Sequence, residues 1–126
     1  MYHIGIDIIK KYLIIEISGP MSLEEVQEYI KDLTETVHKF EDKELSMLII
    51  ATRMDPLAQQ CLPIFKAAFR LALTHMNKVA VVHSRFVTQM QMRRIEEEVS
   101  TEVRTDRMIR RFKTKKEALE YLSKEG

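Results

Sequence analysis

The stretch "LSMLIIA", residues 45–51, decides the fold of this 126-residue chain. Six of its seven residues are apolar, and none is charged. A strand whose side chains are apolar in both alternating directions is typical of a sheet covered on both faces, where it is usually central and parallel. The stretch therefore predicts an α/β protein with helices on the faces of a sheet.

Two β-rich runs precede this strand. "YHIGIDII" places Ile4, Ile6 and Ile8 at period two, and "YLIIEIS" follows after Lys10 and Lys11. Two such runs joined by a short charged turn predict an antiparallel hairpin. Lys-Lys is not a favoured turn pair, so this prediction depends on the alternation and not on turn chemistry.

A helix is expected between the hairpin and the central strand. Ser22 is a good N-cap, and Glu25 three residues later completes a capping box. The apolar residues that follow are spaced by three and four and form one stripe: Leu23, Val26, Ile30, Leu33, Val37 and Phe40. This spacing predicts an amphipathic helix packed on the sheet.

The stretch "TRMDPLAQQCLP", residues 52–63, leads from the central strand to a second helix. Asp55 and Pro56 resemble a helix start, but Pro63 would then interrupt the second turn. We therefore predict a loop or short turn over 56–61 and a helix over 62–76. "KVAVVH", residues 78–83, predicts a second buried strand.

The last third of the chain predicts two more helices. One spans 85–99, with Ser84 as its cap and Phe86, Met90 and Ile95 facing inward. Residues 101–112 are ambiguous: Val103 is a candidate start of a short strand, and Met108, Ile109 and Phe112 are candidates for packing near the sheet edge. Thr114 and Glu117 form a second capping box for the final helix.

Together these elements predict one domain over residues 1–126. Its sheet is mixed and four- to five-stranded, with the antiparallel hairpin at one side, parallel strands in the middle and about four helices. The lone cysteine, Cys61, excludes an internal disulfide and fits a reducing compartment. No apolar run is long enough to span a bilayer, so we predict a cytoplasmic protein.

The order of these segments resembles the SpoIIAA-like branch of the STAS superfamily, the domains of anti-sigma-factor antagonists and sulfate-transporter tails. The resemblance is carried by "YLIIEISGPMSLEEVQEYIKDL", "LSMLIIA", "FRLALTHMNKVAVVHS" and "IRRFKTKKEALEYL", which together span nearly the whole chain. It implies a non-enzymatic module that binds partner proteins, nucleotides or small apolar ligands.

One part of the chain departs from the antagonist pattern. Antagonists carry a switch serine in an Asp-Ser-Ser-Gly-like turn after the core strand, where a phosphate weakens docking. This chain has no serine or glycine there, and Thr52 is the only nearby hydroxyl. The departure argues against phosphorylation as a switch.

The chemistry-bearing residues favour structural roles. Cys61 has no histidine placed beside it by sequence, and the four histidines lack metal-ligand spacing, so we expect no metal and no cofactor. The acids at 96–98 and Glu102 are interpreted as a solvated helix face, which would not shift the pKa of a catalytic carboxyl. We therefore predict that the protein is not an enzyme.

Charge is unevenly distributed along the chain. Residues 1–63 carry 6 Lys and Arg against 11 Asp and Glu, whereas residues 64–126 carry 14 against 8. The basic stretch over 104–116 includes one aromatic residue, Phe112, so base stacking has little support. The interpretation favoured is a solvated surface, ahead of an acidic protein partner; we expect no nucleic-acid partner and no membrane contact.

The leading hypothesis is a module that docks a protein partner, or a second copy of itself, through residues 52–66 and the start of the helix over 85–99. The candidate contact residues are Thr52, Arg53, Met54, Leu57, Cys61, Leu62, Phe65 and Lys66. The alternative is a small-molecule or lipid binder with an apolar pocket between the helix over 62–76 and the sheet. A cavity of a few hundred cubic ångströms lined by Phe65, Phe69 and Met54 would favour that alternative.

Overall fold

The stretch at 45–51 forms most of β3, the middle strand of a five-stranded sheet. A computed structural model describes residues 1–83, 86–103 and 109–124. The strands are β1 (Tyr2–Asp7), β2 (Tyr12–Gly19), β3 (Ser46–Met54), β4 (Val79–Val82) and β5 (Ile109–Phe112), in spatial order β1-β2-β3-β4-β5. The β1/β2 pair is antiparallel and the other pairs are parallel, which confirms the predicted mixed sheet.

Four α-helices connect or follow the strands: α1 (Leu23–Val37), α2 (Leu62–His75), α3 (Phe86–Val103) and α4 (Lys115–Ser123). A short 3₁₀ turn, Gln59–Cys61, precedes α2, so that Pro63 lies in the first helical turn, where no backbone donor is lost. Ser22 Oγ accepts from the Glu25 amide at 3.1 Å, and Thr114 Oγ1 accepts from the Glu117 amide at 3.2 Å. Both predicted caps therefore form.

The sheet separates two cores of unequal size. On one face, Met47 and Ile49 of β3 pack with side chains of α1, α2 and α3. On the other, Leu48 packs with Ala118 and Leu122 of α4. The alternation of β3 side chains between the two cores explains why this strand is apolar at successive positions.

Helix α3 is where the sequence-based expectations need correction. It continues to Val103, so no strand begins at that residue, and β5 begins at Ile109. Phe86 and Met90, expected to face inward, are exposed. The expectations for Ser84 and Met108 lie outside the described residues.

The buried face of α3 explains this difference. It consists of Thr88, Met92, Ile95, Glu96 and Val99. Because residues spaced by three and four share a helix face, a stripe through Met92, Ile95 and Val99 turns Phe86 and Met90 away from the sheet. At 18 residues α3 is the longest of the described helices, yet no helix in the described part of the chain is long and apolar enough to cross a bilayer.

Phe65 is the best test of the larger core. Its ring stacks on Tyr29 with centroids 5.4 Å apart and lies 6.1 Å from Phe69. We expect Phe65→Ala to lower the free energy of unfolding by about 3–5 kcal/mol, because it removes a buried ring and leaves a cavity. Phe86→Ala, at an exposed site, should change it by less than about 0.5 kcal/mol. Urea denaturation measures both; equal losses would contradict the assigned packing of α2 and α3.

Candidate functional site

The predicted contact residues lie where β3 ends and α2 begins. Arg53 is exposed, and Thr52, Leu62 and Lys66 are half-buried. The remaining four predicted contact residues, Met54, Leu57, Cys61 and Phe65, are buried in the larger core. The first group therefore lies at least partly at the surface, and the second lies beneath it.

The burial of Met54, Leu57, Cys61 and Phe65 corrects the expectation that they supply apolar contact to a partner. The sequence predicts a loop or short turn over 56–61 and a helix over 62–76, and the apolar spacing of that helix also predicts that Phe65 lies on its core stripe, which is confirmed. In the structure the 3₁₀ turn folds this segment back onto the sheet, so that Cys61 and Phe65 point into the core. A thiol buried in this way is a small core side chain, which removes the support for a nucleophilic role.

Two side chains of α3 hold the segment after β3 in place. Gln91 accepts from the Leu57 amide at 2.8 Å through Oε1 and donates to the Leu57 carbonyl at 3.0 Å through Nε2. The buried Thr88 hydroxyl donates to the Met54 carbonyl at 3.0 Å. The bonds of Gln91 satisfy the amide and carbonyl of Leu57, which lies outside the helices and strands, and together with the Thr88 bond they fix the start of α3 against the end of β3.

The first turn of α3 carries an exposed apolar surface. Phe86, Val87 and Met90 are 73%, 58% and 57% exposed; we call these three residues the α3 patch. Neighbouring Arg93 and Arg94 are also exposed and form i,i+4 ion pairs with Glu97 at 3.4 Å and Glu98 at 3.6 Å. The patch thus continues into a charged helix face.

A cleft of about 520 Å³ separates the start of α2 from α3. Its lining combines apolar and charged side chains: Gln59, Leu62, Pro63, Lys66, Gln91, Arg94, Ile95 and Glu98. Lys66 Nζ lies 2.6 Å from Glu102 and 3.4 Å from Glu98, and Arg70 also contacts Glu102 at 2.6 Å. Hydrogen bonds from Lys66 and Arg70 lower the pKa of Glu102, and the bond to Glu102 raises the pKa of Lys66.

The apolar pocket expected between α2 and the sheet is filled. The space bounded by Tyr29, Met47, Ile49, Phe65, Ala68 and Phe69 leaves no room for a water molecule. Met54, expected to line such a pocket, is also buried. The packing of the rings therefore argues against a ligand at this place.

A buried polar group lies between α3, β4 and β5. Glu96, expected on a solvated face, is buried, and its Oε2 atom lies 3.5 Å from Arg111 Nη1. The Glu96 Oε1 atom and both ring nitrogens of buried His83 have no hydrogen-bond partner among the described residues. The stripe through Met92, Ile95 and Val99 contains the signal for this burial, because Glu96 shares its face.

Burial changes the titration of both groups. Burial raises the pKa of Glu96 from 4.5 to about 7, with a smaller opposing effect from Arg111. Burial, and secondarily Arg111, lowers the pKa of His83. No group of three or more His, Cys, Asp or Glu able to hold a metal is present in residues 1–83, 86–103 and 109–124.

The fold and this site define a mixed-sheet α/β domain of the STAS type. The chain belongs to the SpoIIAA-like family, whose model matches residues 12–123. It is similar in fold to the crystal structure of an uncharacterized DUF3478-family protein from Shewanella loihica PV-4 that has a SpoIIAA-like fold, with a TM-score of 0.72 and 19% identity over 96% of this chain and 93% of that one. No curated protein matches this chain in sequence.

Gln91→Ala should loosen the segment after β3. It removes two hydrogen bonds to Leu57, which together contribute about 2 kcal/mol to the local structure. Hydrogen exchange of the Leu57 amide should accelerate at least about tenfold. Gln89→Ala, at an exposed position of the same helix, is the matched control and should leave the exchange rate unchanged; equal protection in both variants would contradict the role of Gln91.

Glu96 should make the protein less stable as the pH rises. Its pKa is higher in the folded than in the unfolded chain, so the folded state binds the proton more tightly and stability falls between about pH 4.5 and about pH 7. Glu96→Gln removes this loss, and its stability relative to wild type should increase by up to about 3 kcal/mol between about pH 5 and about pH 8. Thermal unfolding across this range, with Glu35→Gln as the exposed control, measures the effect; parallel curves for wild type and Glu96→Gln would contradict it.

Proposed function

We propose that this chain is a non-enzymatic binding module that docks a protein partner through the α3 patch and the adjacent end of β3. One observation carries the proposal: Phe86, Val87 and Met90 are adjacent on one helical turn and exposed. A cluster of large apolar side chains on a surface is typical of an interaction site. Because Thr88 and Gln91 fix this turn to the preceding segment, the surface is preorganised and little ordering is needed on binding.

The charges around the α3 patch indicate the chemistry of the partner. Arg53 is exposed at the end of β3, and Arg93 and Arg94 follow the patch along α3. The ion pairs of these α3 arginines are solvent-exposed, and such pairs contribute little stability, so they can be exchanged for partner carboxylates. The surface fits a partner with an apolar centre and an acidic rim.

Some of the predicted contact residues remain part of the proposed docking surface. Arg53, Leu62 and Lys66 remain at the surface, and Leu62 and Lys66 line the α2–α3 cleft next to the α3 patch. Thr52 lies within β3 and not at the start of a helix, which is unlike the position of the antagonist switch serine. We therefore propose docking without phosphorylation of Thr52.

The proposed absence of catalysis is supported by the chemistry of the site. Cys61 is buried before the first residue of α2, whereas His75 is the last residue of α2 and its Nδ1 atom lies 2.6 Å from Asp42 Oδ1. The alternative function, binding of a small apolar ligand between α2 and the sheet, finds no support in the closed packing there. The exposed residues therefore favour docking of a protein partner over catalysis and over binding of a small ligand.

A quantitative co-purification from the native cell extract tests the docking surface. We expect Phe86→Asp/Met90→Asp to lose the wild-type partner by at least about tenfold, because two charges are placed in an apolar contact. Ile8→Asp/Ile9→Asp introduces the same charges at another exposed apolar pair and should retain the partner. Retention by the first variant, or a wild type with no partner, would refute the proposal.

Self-association requires a separate measurement. Analytical ultracentrifugation of the purified wild type and of Phe86→Asp/Met90→Asp distinguishes a second copy from a different partner. A wild-type dimer that the double substitution dissociates would assign the surface to self-association. A monomer at all concentrations, together with a co-purified protein, would assign it to a different chain.

A further inference from the structure

The turn between β1 and β2 exposes two isoleucines at the opposite end of the sheet from the α3 patch. Ile8 and Ile9 are 76% and 94% exposed. The turn itself is well defined, because the Lys10 amide donates to Asp7 Oδ1 at 3.0 Å. The apolar side chains are therefore presented on a structured protrusion; we call residues 8–11 the hairpin tip.

The residue types at the hairpin tip do not serve the turn. Lys11 has φ = 61°, a left-handed conformation that glycine or asparagine adopts at lower cost. Ile8 and Ile9 lie in the turn and outside both strands, and at 76% and 94% exposure they add little packing to the domain. Where local rules are broken without a structural gain, a functional reason is expected.

Two lysines of the hairpin tip and two lysines of α4 line one cleft. Lys10 and Lys11 line a cleft of about 860 Å³ together with Lys115 and Lys116 of α4. Its floor includes the apolar parts of Tyr12, Leu119 and Leu122. Within the described residues none of these four ammonium groups has a carboxylate partner.

The cleft has an excess of positive charge. Two carboxylates also line it, Glu44 and Glu120, against the four lysines. The hydrogen bond that Glu44 Oε2 accepts from the Glu41 amide at 3.0 Å leaves the charge of Glu44 in place, so four lysines against two glutamates give the lining a formal charge of +2. The cleft and the tip thus present cations around apolar side chains.

We propose that the hairpin tip and this lysine-lined cleft bind the surface of an anionic bilayer. Ile8 and Ile9 enter the interfacial region, and Lys10, Lys11, Lys115 and Lys116 contact the anionic headgroups. A bilayer accepts a convex apolar protrusion without needing a matching pocket, whereas a protein partner would need one. Its negative surface complements the four lysines at the same time.

The proposed membrane contact differs from the expectation drawn from the sequence, in which the basic stretch over 104–116 is a solvated surface and no membrane contact is expected. The fold places the two lysine pairs around one cleft next to the exposed isoleucines. The proposed contact is peripheral and independent of the proposed docking of a protein at the α3 patch.

Vesicle co-sedimentation of the full chain tests the proposal. The probes are phosphatidylcholine vesicles with and without phosphatidylserine, at low and at high NaCl. We expect binding to the anionic vesicles alone, and weaker binding at high salt because the electrostatic attraction is screened. Ile8→Ser/Ile9→Ser should weaken binding by at least about tenfold, since the inserted apolar area is lost.

Removal of two tip charges should have a larger effect. Lys10→Gln/Lys11→Gln should weaken binding about 30-fold, because each lysine near an anionic surface contributes about fivefold. Lys31→Gln/Lys39→Gln is the matched control, since both lysines are exposed elsewhere and the change in net charge is identical. Phe86→Ser/Met90→Ser is the control for the other apolar surface, and both controls should bind as wild type does.

Several outcomes would overturn the proposal. They are a wild type that binds no anionic vesicle, tip variants that bind as tightly as wild type, and control variants that lose as much binding as the tip variants. Binding that does not depend on phosphatidylserine would also refute it. If the wild type forms a dimer, Ile8→Ser/Ile9→Ser is a monomer and neither binds vesicles, the surface would be assigned to contact with a second copy instead.

Discussion

Burial of β3 on both faces is the constraint on which the rest of the structure depends. Met47 and Ile49 face one core and Leu48 faces the other, so apolar layers must cover both sides of the sheet. Parallel pairing with β2 and β4 requires long crossover connections, and α1 and α2 supply them on the same face. The α-helices, the loops and both candidate surfaces follow from how this one strand is covered.

The two faces are covered unequally, and this inequality creates the surfaces available for binding. Three helices cover one face, and their ring packing around Phe65 leaves no space for a ligand. Only α4, among the described helices, covers the other face, so a cleft remains open beside it above Tyr12. The α3 patch belongs to the face covered by α1, α2 and α3, and the lysine-lined cleft belongs to the face covered by α4.

The two candidate surfaces lie at opposite ends of the parallel strands. The α3 patch follows the carboxyl end of β4, while the hairpin tip precedes the amino end of β2. A protein docked at the first surface would therefore leave the second one free to contact a bilayer. Glu96 of α3 and His83 are both buried, Arg111 Nη1 lies 3.5 Å from Glu96 Oε2, and burial raises the pKa of Glu96 to about 7.

The sequence by itself determined the element order, the mixed sheet and the caps at Ser22 and Thr114, because these depend on local periodicity and on hydrogen bonds within a few residues. It also carried the family resemblance that the SpoIIAA-like match confirms. The tertiary structure alone decided which side of α3 faces the sheet. As a result Glu96 is buried and Phe86 is exposed. It also decided that Met54, Leu57 and Cys61 are buried and that Lys10 and Lys115 line one cleft. Such contacts join residues that are distant along the chain, and local sequence patterns do not encode them.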